Sequence, residues 1–274
     1  MRPRMSGSRV KILVAGSLIV CWVLIALLAP FLAPYNPLEM HSGEELTGPS
    51  RMFPLGTDEF GRDLLSRLLF GARISLGVSF AAVTVALAVG LAIGLAAGYY
   101  GGLADEIAMR SMDIVFAFPP ILLAICIVAF FGPGVKNTVL AISIVYVPRF
   151  ARVLRASVLE TKGREFVVAA RAVGASDART LLRHIVPNIR APLLVQTSLS
   201  LSTAILFEAA LSFLGLGTQP PAASWGRMLA EARGYLVLSP WASIFPGVAI
   251  MLLVLWFNVL GDSVRDLLDP KLGR

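Results

Sequence analysis

Residues 75–102, "SLGVSFAAVTVALAVGLAIGLAAGYYGG", contain no Asp, Glu, Lys or Arg. An α-helix rises about 1.5 Å per residue, so about 20 apolar residues cross the roughly 30 Å hydrocarbon core of a bilayer. This stretch reaches that length with residues to spare. It lacks the alternation of apolar and polar residues that marks a membrane barrel strand, so its backbone must satisfy its own hydrogen bonds as a helix. Gly90 and Gly94, four residues apart among Ala and Ser, give that helix a side on which a neighbour can approach closely.

Working outward, the uncharged run around this stretch extends from Ile74 to Ala104. Others run from Ile12 to Leu38, Ile114 to Val135, Asn137 to Pro148, Ala191 to Phe207 (continuing past a lone Glu208) and Gly234 to Gly261. The expected fold is therefore all-α: a polytopic membrane protein with six transmembrane helices. Composition agrees, since 57% of the 274 residues are hydrophobic and 15% charged, against roughly 25% charged in soluble domains. The fourth run is short, about 18 Å as a helix, and is expected to extend past Arg149 and Arg152, whose side chains can snorkel to the interface. The first run follows Arg2, Arg4, Arg9 and Lys11, as a secretory leader would, but it is too long for one and lacks an A-x-A site before Pro30. It is expected to remain as the first span. Cys21 and Cys126 lie inside apolar runs and read as small hydrophobes.

A net charge of +7 could suggest nucleic acid, but the basic residues are placed by topology. With a cytosolic N-terminus and six spans, 17 of the 24 Lys and Arg fall inside, nine of them between Arg149 and Arg190, as the positive-inside rule requires. Both termini are then expected in the cytosol, and a nucleic-acid partner is not. The chain divides into residues 1–33 (tail and first span), 34–73 (an extracytosolic segment) and 74–274 (a five-helix core with a cytosolic loop, 149–192). The outer segment carries Pro34, Pro37, Pro49 and Pro54. From Asp58 on, Phe60, Leu64, Leu65, Leu68 and Leu69 recur with Arg62, Asp63, Ser66 and Arg67 between them, which predicts an amphipathic helix at the membrane surface leading into the second span. Packing and a partner-facing role both remain open for it.

The inner loop contains "EFVVAARAVGASDARTLLRHIVPN", Glu165 to Asn188. An Ala-rich helix through Ala169, Ala170 and Ala172 should stop at Gly174, the residue that most cheaply takes the left-handed closing conformation. Ser176 or Asp177 can cap a second short helix, which should end before Pro187. Alanines on a protruding element bury little alone, so they suit close approach by another protein. Glu165, Ala169, Ala170, Gly174, Ala175, Ser176, Asp177 and Pro187 are the candidate contact residues.

Val168, Ala169, Ala170, Gly174, His184, Val186 and Pro187 follow the spacing of the Glu-Ala-Ala loop in the membrane subunits of ABC importers, with Val168 in place of the Glu and His184 and Val186 in place of Ile and Leu. "RHIVPN", "PLGTDEFGRDLLSRLLFGARISL" from Pro54, "EAALSFLGLGTQPPAASWGRML" from Glu208 and "FPGVAIMLLVLWFNVLGDSVRDLLDPKL" from Phe245 resemble the dipeptide, oligopeptide and nickel permease branch. The chain looks like the member of the permease pair carrying the "GTDEFGRD" and "LGDSVRDLLDP" signatures. The resemblance implies a type I importer permease fold, with the Gly174 loop docking as a coupling helix on an ATP-hydrolysing subunit. It also implies a sister permease, two ATP-binding subunits and an extracytosolic substrate-binding protein, in the cytoplasmic (inner) membrane of a prokaryote. ATP and Mg would sit on the partners, with no cofactor on this chain. None of the four lysines, Lys11, Lys136, Lys162 and Lys271, follows a Gly, so no G-x-x-x-x-G-K-[ST] phosphate loop exists here.

Glu208 is a candidate for the translocation path because an ionisable group at membrane depth is costly, although the outer end of a helix would also account for it. Thr197 and Ser200, in a run with Ser198, Ser202 and Thr203, could wet a path or could hydrogen-bond back to helix carbonyls. His41 and His184 fall on opposite sides of the membrane, so no metal site is expected. Asp262, Arg265, Asp266 and Asp269 make a charged cytosolic end after the last span. The expected function is a permease subunit, not an enzyme, that works by alternating access on peptides or a similar small solute. The alternative, an ion-gradient-driven secondary transporter, would call for more intramembrane carboxylates or broken-helix ion sites.

Overall fold

The computed structural model describes residues 3–268; Arg2, Asp269, Lys271 and Arg274 lie outside the described residues. Helices make up most of the chain: α1 (Pro3–Leu32), α2 (Leu64–Tyr100), α3 (Gly102–Phe116), α4 (Pro120–Phe131), α5 (Val135–Lys162), α6 (Glu165–Ala172), a single turn α7 (Asp177–Arg179), α8 (Arg190–Phe213), α9 (Trp225–Ala232) and α10 (Trp241–Leu268). Among the described residues there is no strand, only an isolated bridge between Thr57 and Asp63.

Among the described residues, four helical stretches are long and apolar enough to cross a membrane: Arg9–Leu32, Leu64–Tyr100, Asp177–Phe213 and Trp241–Leu267. A fifth span follows if α3 and α4, bent by 89° at their break, count as one. The bend falls at Pro119 and Pro120, where neither residue can donate a backbone hydrogen bond and the residue before each is pushed out of the helical region. The single third span expected from Ile114 to Val135 is thus split. The short run expected as a fourth span is the first half of α5, a 28-residue helix that is not among those long and apolar enough to cross a membrane, so the described residues give at most five of the six expected spans. The second half of α5 carries Arg149, Arg152 and Arg155. Two of these cations take α3 as their partner: Arg155 donates to both oxygens of Asp105 (2.5 and 2.6 Å) and Arg152 to Asp113 (2.5 Å).

The most extensive contact in the molecule joins α2 and α5. A Cβ built on Gly90 would lie 2.5 Å from the Phe150 Cβ, one on Gly94 2.7 Å from both the Ala151 carbonyl oxygen and the Leu154 Cβ, and one on Gly98 2.8 Å from the Val158 Cβ. Three glycines at four-residue spacing therefore set the distance between these two helices, and Gly98 extends the pair read from the sequence.

The amphipathic surface helix expected from Asp58 does not form as such. The helix begins at Leu64, capped by Asp63, whose side chain accepts from the Ser66 backbone N–H, and it runs unbroken into the membrane as α2. Arg62, Asp63 and Arg67 are 4%, 0% and 1% exposed, so they are not a solvated polar face. Asp58 accepts from the Arg62 Nε (2.6 Å) and pairs with Arg67 (3.2 Å), while Glu231 of α9 accepts from Arg67 (2.8 Å), Arg62 (3.3 Å) and Arg227 (2.8 Å). Charge pairing across the chain, unavailable to a local pattern, overrides the amphipathic reading. Residues 34–63 are bound in this way to a short helix on the far side of the sequence.

Candidate functional site

The inner element is built by local rules. Helix α6 ends in a Schellman turn: Gly174 sits at φ +86°, its N–H bonds the Arg171 carbonyl, and the Ala175 N–H bonds the Ala170 carbonyl, both at 3.0 Å. The Ser176 hydroxyl then accepts from the Arg179 N–H, so Ser176, not Asp177, is the cap. Asp177 has a different task, accepting from the Tyr99 hydroxyl at 2.6 Å. The expected helix end before Pro187 does not occur. A π-helical turn (Thr180–Ile185) and a 3-10 turn (Val186–Ile189) absorb the missing donor and carry the rod from Asp177 into α8.

The two sides of this element differ. Val167, Thr180, Ile185 and Ile189 are buried against the membrane domain, whereas Phe166, Val168, Val173 and Leu182 are exposed, Val173 at 86%. Glu165, Ala169, Gly174, Ser176 and Asp177 lie on the exposed surface, and Ala170, Ala175 and Pro187 are half-buried. The candidate residues are therefore brought together on one protruding unit. Two residues that the sequence reading left out fix it from behind: Lys162 donates to the Tyr99 carbonyl, and the Lys162 ammonium and the Arg171 guanidinium lie 5.4 and 5.9 Å from the Tyr99 ring centre. Tyr99 ends the second span, so movement of α6 and α7 is tied directly to α2.

The path candidates are separate from this unit. Glu208 is 1% exposed and accepts from the Ser212 hydroxyl at 2.7 Å; Arg227, the next cation along the chain, pairs with Glu231 and not with Glu208. Thr197 donates to the Leu193 carbonyl (2.8 Å), and Ser200 accepts from the Gln196 amide (3.0 Å), so their hydrogen bonds are met within α8. Near Glu208, Trp225 is wholly buried. Its indole N–H donates to the Leu68 carbonyl (3.0 Å) and its backbone N–H to the Ser75 hydroxyl (3.2 Å). This joins α9 to α2 next to the Asp58–Arg67–Glu231 ion cluster. His41 stacks edge-on with Tyr35 in the outer segment, far in sequence and topology from His184, and among the described residues no cluster of His, Cys, Asp or Glu could hold a metal ion.

Helices long and apolar enough to cross a membrane, with a protruding element held on a fixed base, define a multi-pass helical permease subunit. The chain belongs to the family of binding-protein-dependent transport system inner membrane components, which matches residues 90–274. It is 48% identical over 263 residues to the dipeptide transport system permease protein DppC of Alkalihalophilus pseudofirmus, covering 96% of this chain and 86% of the relative. It is 49% identical over 256 residues to the di/tripeptide transport system permease protein DppC of Pseudomonas aeruginosa (91% and 84%). The glutathione transport system permease protein GsiD of Escherichia coli is 45% identical over 259 residues (94% and 86%). The fold resembles a subunit of the inward-facing MetNI methionine ABC transporter, with a TM-score of 0.62 at 19% identity over 75% of this chain and 98% of that one. The chain is thus a multi-pass inner-membrane component of an ABC importer and not an enzyme, which sets aside the ion-gradient-driven alternative.

Proposed function

We propose that this permease, with a sister permease, forms the pathway of an ATP-driven importer for di- or oligopeptides. The dipeptide, di/tripeptide and glutathione transport functions of its relatives support the peptide class. The carrying observation is the 165–177 element, with exposed Phe166, Val168 and Val173 on the outside and buried Val167 and Thr180 behind: an apolar surface on a fixed base is suited to dock on an ATP-binding subunit. Two such subunits would hold ATP and Mg, an outer binding protein would deliver cargo, and Glu208, Thr197 and Ser200 remain candidates for the path. In liposomes, the chain alone should neither hydrolyse ATP nor take up peptide, and adding the sister permease, the ATP-binding subunits and the binding protein should give ATP-dependent uptake. Ion-gradient-driven uptake by the lone chain would overturn this reading.

The charge bias supports a cytosolic position for both termini. A cysteine at Gln219 should therefore react with an impermeant thiol reagent applied to intact cells, and one at Ser176 only after the inner face is opened. Labelling of Ser176 from outside would reverse the orientation.

Gly174→Val tests the coupling role. No atom lies within 4 Å of the Gly174 Cβ position, so the strain is confined to the backbone, about 1–2 kcal/mol for a side chain at positive φ. Membrane insertion should be unchanged and uptake reduced roughly five- to thirtyfold, with ATP hydrolysis no longer stimulated by loaded binding protein. Normal stimulation in this variant would remove the docking role from this turn.

A further inference from the structure

On the outer side, a cavity of about 660 Å³ opens between Pro37 and Leu38 of the outer segment, Phe70, Arg73 and Ile74 of α2, and Ala222 in the loop before α9. We propose that it is a phospholipid site: the phosphodiester of an outer-leaflet lipid sits on the Arg73 guanidinium, and an acyl chain fills the apolar space beside it.

Depth is the first argument. Arg73 is the last charged residue before the uncharged run from Ile74 to Ala104, so its guanidinium lies where hydrocarbon gives way to headgroups. Charge is the second. The nearby carboxylates of Asp58 and Glu231 are taken up by Arg62, Arg67 and Arg227. Arg73 itself is exposed, and among the described residues its recorded contact is with the Phe70 ring, 5.9 Å from the ring centre. A planar guanidinium without a carboxylate partner matches a phosphodiester in two parallel hydrogen bonds. The lining is the third. Apart from Arg73 and Asn36 the walls are apolar, which suits an acyl chain; a peptide would have to bury amide groups there with almost no partners, at a cost for each. The walls also stand without a ligand, since the Tyr35 N–H donates to the Ser66 hydroxyl (3.1 Å) and Arg67 to the Pro37 carbonyl (3.4 Å).

The site requires only that the chain spans a membrane in the orientation proposed above, so it stands apart from the peptide reading. The test is lipid retention. The detergent-washed importer complex is extracted and its phospholipid counted by mass spectrometry, for the wild type, Arg73→Gln, Arg73→Lys and Ala222→Trp. The wild type should keep close to one tightly held phospholipid per chain beyond the exchangeable pool. Arg73→Gln should lower this by about tenfold or more, the loss expected of a charge-assisted pair, and Arg73→Lys should fall between. Ala222→Trp should expel the lipid by filling the space while leaving the arginine in place. Equal retention in all four proteins would overturn the proposal, as would crosslinking of a photoreactive peptide at position 222 with lipid retention unchanged.

Discussion

Replacing Glu231 by alanine is expected to cost about 3–5 kcal/mol, the penalty for leaving buried charge without its partner. The side chains of Arg62 and Arg67 are 5% and 1% exposed and that of Glu231 is 12% exposed, so water cannot replace the lost carboxylate. Asp58 alone would then face both arginines, and Arg227 would lose its partner as well. The result should be seen as a lower fraction of the complex surviving brief heating in detergent, because unfolding of a membrane complex is read as a rate. Glu231→Gln keeps an acceptor for the same donors and should fall between wild type and alanine. Heat survival of the alanine variant equal to wild type would show that the cluster does not hold the outer segment.

The other large effect is expected at Gly94. A leucine there must place its Cβ where the Ala151 carbonyl oxygen and the Leu154 Cβ lie 2.7 Å away, and neither backbone can yield without separating α2 from α5. Overpacking of this kind costs about 3 kcal/mol or more, and in a membrane the small-residue contact is itself what holds the helices together. The variant should insert but should not be recovered as a folded complex. Gly77, on the same helix, has nothing within 4 Å of its Cβ position, so Gly77→Ala should behave as wild type in the same assay. Normal recovery of Gly94→Leu would mean that the two helices are not set by this contact.

The parts of the molecule that were legible in the sequence obey local rules. Gly174 and Ser176 act through backbone geometry over a few residues, and the turn they make has the form their types predict. The apolar runs likewise predicted where helices lie. The amphipathic reading of 58–69 failed because Phe60, Leu64, Leu65, Leu68 and Leu69 recur at helical spacing with Arg62, Asp63 and Arg67 between them, and spacing cannot reveal that Glu231 neutralises two of those charges. Helix α5 extends past Arg149 and Arg152 as expected and runs on to Lys162, because α3 offers Asp105 and Asp113 to its arginines, a pairing that no local pattern reveals. Pro187 was expected to end a helix, but a widened turn let the chain pass through it. Gly98 could have been found by extending the four-residue step from Gly90 and Gly94.

The ion cluster also bears on the order in which the protein is made. Glu231 is separated by 169 residues from Arg62 and by 164 from Arg67, so both arginines are synthesised long before it. Until α9 emerges Asp58 alone faces the two of them, and the tie between the 34–63 segment and α9 is missing. Completion of the ion cluster is therefore a late event in biogenesis, and a nascent chain interrupted before residue 231 carries an excess of positive charge at this end by which an unfinished copy differs from a complete one.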